Sequence, residues 1–266
     1  MSALLEIKNL RVNFLHEAKP VEVLRGVNLK VYEGEILGLV GESGSGKTLT
    51  ALSITKLLPK SAKITDGEIL FDGRDLIKSA EDDLRKIRGA KISYVFQDPA
   101  TSLNPVFTIG EQLIESIELH QRAKKEESFD VAVAALKDVG MPSPKDIMYA
   151  YPHQLSGGMK QRAMIAMAIS CRPRLLIADE PTTALDVTIQ AQILDLLVRL
   201  KEELQLTVIL ITHDLSIVAQ VAEKTAVMQE GRVVEYGDTA IIYRKPSHPY
   251  TKKLIDCIPK MTGHRL

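Results

Sequence analysis

The sequence predicts an α/β protein: a mainly parallel sheet with an antiparallel β subdomain near its N-terminus and a helical subdomain inserted into its middle. Three observations point there. The apolar run Ile36-Leu37-Gly38-Leu39-Val40 leads through the glycine-rich segment 41–48 into a helical pattern over 49–58, which is the order strand, loop, helix. A second apolar run, Leu175-Leu176-Ile177-Ala178, ends in Asp179-Glu180, as expected of a buried parallel strand that delivers carboxylates to a sheet's C-terminal edge. Between Gln97 and Ser156 the pattern turns helical and irregular, which marks an insertion.

In chain order, residues 4–14, 21–24 and 27–31 read as strands, with a loop over 16–20 and a Glu33-Gly34 turn before the Ile36 strand. After the helix at 49–58, Pro59 breaks the pattern. Segment 67–73 reads as a short strand entering a turn, 80–88 as a charged helix, and 92–96 as a strand stopping at Gln97-Asp98-Pro99. Helices are expected over 109–119 and 131–139, the charges at 122–127 forming a solvated face or helix start. Beyond 180, apolar positions Ile189, Ile193, Leu197, Leu200 and Leu204 recur at helical spacing, before a strand over 207–212 that ends at His213. Strands 226–229 and 232–236 flank the hairpin turn Glu230-Gly231, and the tail beyond Gly237 reads as helix and proline-containing links.

The segment Gly41-Glu42-Ser43-Gly44-Ser45-Gly46-Lys47-Thr48 fits G-x-x-x-x-G-K-[ST], a phosphate cradle. Its glycines let backbone N–H groups converge on a phosphate, the following helix N-terminus adds partial positive charge, Lys47 can reach the β- and γ-phosphates, and Thr48 can hold Mg²⁺. The expected ligand is a nucleoside triphosphate with magnesium. At the end of the second apolar strand, Asp179 suits the metal through water and Glu180 suits activation of an attacking water.

Composition narrows the classes. The chain has 266 residues, 45% hydrophobic and 26% charged, with 34 basic residues balanced by 34 acidic ones, so nothing global favours nucleic acid or an anionic membrane surface. No apolar run is long enough to span a bilayer, and the first residues lack the shape of a secretory signal, so a cytoplasmic location is expected. Cys171 and Cys257 are the only cysteines and have no metal-binding spacing.

A second glycine-bearing turn makes the reading more specific. Leu155-Ser156-Gly157-Gly158-Met159-Lys160-Gln161-Arg162, upstream of Asp179-Glu180, resembles the signature of ATP-binding cassette (ABC) ATPases. The resemblance covers nearly the whole chain and implies a P-loop NTPase fold with a RecA-like core. It divides the chain into a nucleotide-binding core with β subdomain (1–97 and 164–236), a helical signature subdomain (98–163) and a C-terminal tail (237–266). It places Phe14 as the aromatic that stacks on adenine, Gln97 in the Q-loop near magnesium and water, Asp186 in the D-loop Ala184-Leu185-Asp186, and His213 as the switch histidine that senses the γ-phosphate. Physics gives the signature a role of its own. Ser156 is placed to cap a helix whose glycines leave N–H groups bare, making a second anion site. One nucleotide does not need two such sites in one chain, so the family's head-to-tail dimer follows, each ATP lying between one chain's 41–48 loop and the other's residues 155–159.

Further segments resemble the ATPases of dipeptide, oligopeptide and nickel importers: 96–105 with Thr108-Ile109-Gly110-Glu111-Gln112, Tyr151-Pro152-His153-Gln154, and His248-Pro249-Tyr250-Thr251. That resemblance implies an ATP-hydrolysing importer subunit, peripheral on the cytoplasmic face of the cell membrane. Its expected partners are a second ATPase subunit, identical or paralogous, two transmembrane permease subunits and an extracytoplasmic substrate-binding protein, with peptide, nickel or metal chelate as cargo. Many peptide-importer ATPases continue into a cysteine-rich tail resembling an iron–sulfur site. Two cysteines cannot supply four thiolates, so no such cluster is expected here, which leans toward the nickel or metal-chelate branch or a short peptide-importer partner. The alternative is a soluble ABC ATPase acting on ribosomes or DNA, disfavoured because such proteins usually carry two cassettes, long coiled coils or basic extensions.

Overall fold

The computed structural model describes residues 3–15, 19–121, 125–183 and 185–257. Part of the expected loop at 16–20, part of the charged 122–127 segment, Ala184 of the D-loop and the last nine residues lie outside them. The chain divides into two compact units, Met1–Ile77 with Leu210–Leu266, and Lys78–Ile209.

The first unit opens with strands β1 (Ala3–Phe14) and β2 (Val21–Tyr32), antiparallel to each other. The sequence predicts two strands where β2 is one. Leu24 is buried, and so are Val27, Leu29 and Val31, so the inward face changes parity between 24 and 27. A bulge absorbs that change: pairing moves from Leu10↔Val27 to Arg11↔Arg25, and the extra residue, Gly26, takes φ 85°. Strand β3 (Ile36–Val40) is buried throughout, as a central parallel strand should be. It feeds helix α1 (Lys47–Ile54), which stops short of the predicted end at 58 because Lys56 adopts the left-handed conformation (φ 54°) and the Leu57 N–H turns back to the Leu52 carbonyl at 2.9 Å. Strand β4 (Ala62–Phe71) pairs with β1 and with β5 (Arg74–Asp75). It begins before the predicted 67 because residues 62–66 bury no side chain and hold only Ala62 and Ile64 as apolar residues, a weak hydrophobic signal.

The second unit contains α2 (Glu81–Arg85), β6 (Ile92–Val95), α3 (Pro99–Ser102), α4 (Ile109–Gln121), α5 (Lys125–Asp138), α6 (Pro144–Ile147), α7 (Gly157–Ile169), β7 (Leu175–Asp179) and α8 (Val187–Leu204). Helices α4, α5 and α7 pack on one another around Leu113, Ile117, Ala132, Leu136, Ile165 and Ile169, all nearly inaccessible. Strands β6 and β7 are parallel, Tyr94 opposite Ile177 and Val95 opposite Ala178. Strand β8 (Thr207–Thr212) is buried at every position.

Back in the first unit, α9 (Leu215–Val221) precedes β9 (Lys224–Gln229) and β10 (Arg232–Asp238). β9 runs parallel to β3 and antiparallel to β10. Their turn, Glu230 (φ 48°) and Gly231 (φ 76°), has both central residues left-handed, the twist that suits a two-residue hairpin. Short helices α10 (Thr239–Arg244) and α11 (Pro249–Asp256) close the described chain. No helix among the described residues is long and apolar enough to cross a membrane. The observed architecture is the predicted one: an α/β fold with mixed and antiparallel sheets and a helical segment between strands β6 and β7.

Candidate functional site

In the first unit the 41–48 segment wraps back on itself between β3 and α1. Ser45 N–H donates to the Glu42 carbonyl at 3.2 Å, and Gly231 N–H donates to the Ser45 carbonyl at 2.9 Å, tying the loop to the β9–β10 turn. Gly41 cannot carry a side chain, since a Cβ there would come within 2.2 Å of the Met228 carbonyl oxygen. Gly44 has φ 80° and open space where a Cβ would project, so its backbone is bare. Gly46 has φ 105° and caps α1 without a side chain. Lys47, the first residue of α1, is only 5% exposed, and its ammonium donates to the carbonyls of Gly41 (2.8 Å) and Glu42 (3.0 Å). Ser45 Oγ is buried with no hydrogen-bond partner among the described residues. Glu42, Ser43 and Thr48 are exposed. A buried cation, an unsatisfied hydroxyl and bare backbone at a helix N-terminus form a set that an anionic phosphate chain completes.

His213 belongs to the same unit, exposed at the end of β8, where Asp214 caps α9 by accepting from Ser216 N–H at 2.7 Å. Phe14 is half-buried at the end of β1, opposite Val21 and Ala62.

The second unit gathers the carboxylates. Asp179 ends β7, 4% exposed, and Tyr94 Oη donates to its Oδ2 at 3.1 Å. Burial, together with the neighbouring Asp179 charge, raises the Tyr94 pKa so far that the phenol stays a donor throughout the physiological range. Glu180 follows in a left-handed conformation, φ 45°, which only a few per cent of non-glycine residues adopt and which tends to mark functional strain. Its Oε2 accepts from Gln97 Nε2 at 3.0 Å and from Thr183 Oγ1 at 2.9 Å. The structure thus brings the predicted Gln97 and Glu180 together and adds Tyr94 and Thr183, which the sequence reading missed. The available signal was β pairing: Tyr94 lies on the strand beside β7, two residues before Phe96, with which it stacks at 4.5 Å.

The signature turn forms as expected. Ser156 Oγ accepts from Met159 N–H at 3.3 Å and so caps α7, while Gly157 and Gly158 open the helix. A Cβ on Gly158 would approach Ile189 Cγ2 at 2.9 Å, so glycine also serves packing against α8. Leu155 is buried and Met159 half-buried. Asp186 caps α8, accepting from Ile189 N–H at 3.0 Å. Downstream of Gln97, the Gln112 side chain stitches the 104–108 loop, accepting from Asn104 N–H at 2.9 Å and donating to the carbonyls of Asn104 and Phe107, each at 3.0 Å. That loop presents Val106 and Phe107 to solvent.

Thr48 in the first unit, and Gln97 and Asp179 in the second, each carry an oxygen donor, the ligand chemistry that magnesium favours. No group of three or more histidine, cysteine, aspartate or glutamate residues among the described ones is arranged to hold a metal by itself.

Comparison with known proteins agrees with this geometry. The ABC transporter family model matches residues 24–183, and the C-terminal region model of oligopeptide/dipeptide transporters matches residues 234–266. A probable peptide ABC transporter ATP-binding protein of Sinorhizobium fredii is 49% identical over 96% of this chain and 77% of its own length. A dipeptide transport ATP-binding protein of Bacillus subtilis is 49% identical over 98% of this chain and 78% of its own. Among solved structures, an ATP-binding cassette captured as a dimer in a post-hydrolysis state with ADP and Pi superposes with TM-score 0.78 at 32% identity, covering 88% of this chain and 98% of that one. The chain belongs to the ABC transporter family, among its ATP-hydrolysing importer subunits with the oligopeptide/dipeptide C-terminal region.

Proposed function

We propose that the chain powers peptide uptake as a peripheral subunit on the cytoplasmic face of the cell membrane, assembled with a second ATPase subunit, two permease subunits and an extracytoplasmic binding protein. The observation that carries the ATPase reading is the phosphate seat at 41–48, with Lys47 buried and its ammonium held by loop carbonyls. Peptide is the cargo class in the names of the relatives above. A nickel or metal-chelate cargo is the outcome that would displace it. Exposed Val106, Phe107 and Tyr149 in the helical region, with Phe96 just before it, give a permease apolar residues to grip.

The functional division is a core at 1–97 and 164–236, a signature subdomain at 98–163 and a tail at 237–266. Residues Gly41, Glu42, Ser43, Gly44, Ser45, Gly46, Lys47 and Thr48 seat the phosphates, and Phe14 stacks on adenine. Thr48, Gln97 and Asp179 would hold a magnesium ion, which would supply positive charge against the phosphates. Glu180 accepts the proton of the attacking water. The hydrogen bonds from Gln97 and Thr183 aim its carboxylate, and Tyr94 fixes that of Asp179. His213 reads the γ-phosphate, and Asp186 acts at the dimer's D-loop. Leu155, Ser156, Gly157, Gly158 and Met159 complete the site of the adjoining subunit. Its dimeric cassette neighbour supports that assembly.

Purification of this chain from its native membrane tests the reading. Copurifying permease subunits and a binding protein that retains peptide are expected, whereas copurifying ribosomes or DNA, or a binding protein that retains nickel, would contradict it.

A further inference from the structure

The C-terminal element reaches the phosphate loop directly. Glu42 N–H donates to Tyr250 Oη at 3.0 Å. Glu42 N–H and the Gly41 carbonyl belong to one peptide unit, and that carbonyl accepts from the Lys47 ammonium at 2.8 Å. A single peptide plane is therefore held at one edge by Tyr250 and at the other by the loop's lysine. The peptide cannot easily re-form its surroundings, because Gly41 is pressed against Met228 on β9.

Tyr250 is itself placed by several contacts. The Glu235 carboxylate on β10 accepts from Ser247 N–H (2.8 Å), Ser247 Oγ (2.9 Å) and His248 N–H (3.1 Å), fixing the link between α10 and α11. His248 Nδ1 then caps α11 by accepting from Tyr250 N–H at 3.2 Å, with Pro249 at the first helical position. The Tyr250 ring, 8% exposed, packs with Val40, Leu215, Val218 and Val227. Val40 immediately precedes the loop, and Leu215 lies two residues after His213.

We infer that Tyr250 is a positioning residue of the phosphate loop: its hydroxyl orients the Gly41–Glu42 peptide, whose carbonyl seats the Lys47 ammonium. The C-terminal element is thereby a brace for nucleotide binding as well as a cover for the core. The inference rests on reading 41–48 as the nucleotide cradle, and the test separates the two.

Binding of a fluorescent ADP analogue to the full chain is measured for the wild type, Tyr250→Phe, Lys47→Ala and the double variant. Phenylalanine keeps the packed ring and removes only the hydroxyl. Loss of one hydrogen bond through Lys47 should weaken binding about three- to tenfold in the Lys47 background and under about twofold in the Lys47→Ala background. Amide exchange at Glu42 should speed up in Tyr250→Phe while β3 keeps its protection, a change that general loosening of α11 would not produce. If Lys47→Ala weakens binding but Tyr250→Phe binds like the wild type, or if Tyr250→Phe costs the same factor in both backgrounds, the brace is overturned while the cradle stands. If Lys47→Ala binds like the wild type, the cradle reading fails and the brace with it.

Discussion

Glu180 concentrates the chemistry proposed for this chain into one strained residue. A left-handed glutamate costs on the order of 1–3 kcal/mol, and here the cost coincides with a carboxylate held by Gln97 and Thr183. Substituting Glu180→Gln keeps the shape and removes the base. The variant should bind MgATP as the wild type does and lose turnover by about 10²–10⁴-fold, read by phosphate release alongside nucleotide binding. Turnover within a few-fold of wild type would take the general-base role from Glu180. At this scale local geometry was legible wherever neighbours in the chain act together: the 41–48 loop follows β3, Ser156 caps α7 and Asp179 ends β7. Tyr94, Thr183 and Tyr250 were not read as functional, because their contacts come from strand register, turn geometry and the docking of a terminal helix. None of these leaves a periodic or compositional mark.

At the scale of elements, central strands were read nearly to their ends, whereas β4 and α5 begin earlier than expected, in stretches with little hydrophobic signal, and two other misreadings share a cause. β2 looked like two strands because a bulge at Gly26 reverses the inward parity, and α1 looked longer because Lys56 enters the left-handed region without being glycine. Both are local backbone choices made by tertiary packing. The β10–α11 corner yields a prediction of its own. Burial pushes the Glu235 carboxyl up, but the hydrogen bonds from Ser247 and His248 outweigh it and hold the pKa below the ordinary value of 4.5. A carboxylate depressed in the folded state contributes stability that is complete above its unfolded pKa and lost as pH falls through the folded value. Glu235→Gln should therefore lower the thermal midpoint at neutral pH, and the gap to wild type should narrow as the pH falls below 4.5. A gap that stays constant across that range would show that the corner does not depend on the ionised carboxylate.

On the scale of the whole molecule, the proposal makes the chain half of a nucleotide-gated clamp. Ser156 caps α7 with its side chain accepting from Met159 N–H, and the proposal assigns this helix start to the nucleotide of the adjoining subunit. In the Glu180→Gln background MgATP should raise the mass in light scattering above the 29.4 kDa of one chain, either alone or with the paralogous subunit that copurifies. Adding Ser156→Arg should leave the chain's own nucleotide affinity within about twofold, an effect far smaller than a lost charged contact, and abolish the mass increase. Dimerisation that survives Ser156→Arg would argue against the shared site. The most direct test is a cryo-electron microscopy reconstruction of the assembled Glu180→Gln transporter with MgATP. The account predicts the γ-phosphate of the nucleotide in the 41–48 loop within hydrogen-bonding distance, about 3 Å, of the adjoining subunit's signature turn, with residues 156–158 of this chain facing the other nucleotide. Nucleotide in the loop with residues 156–158 facing bulk solvent, in an assembly that transports, would contradict it.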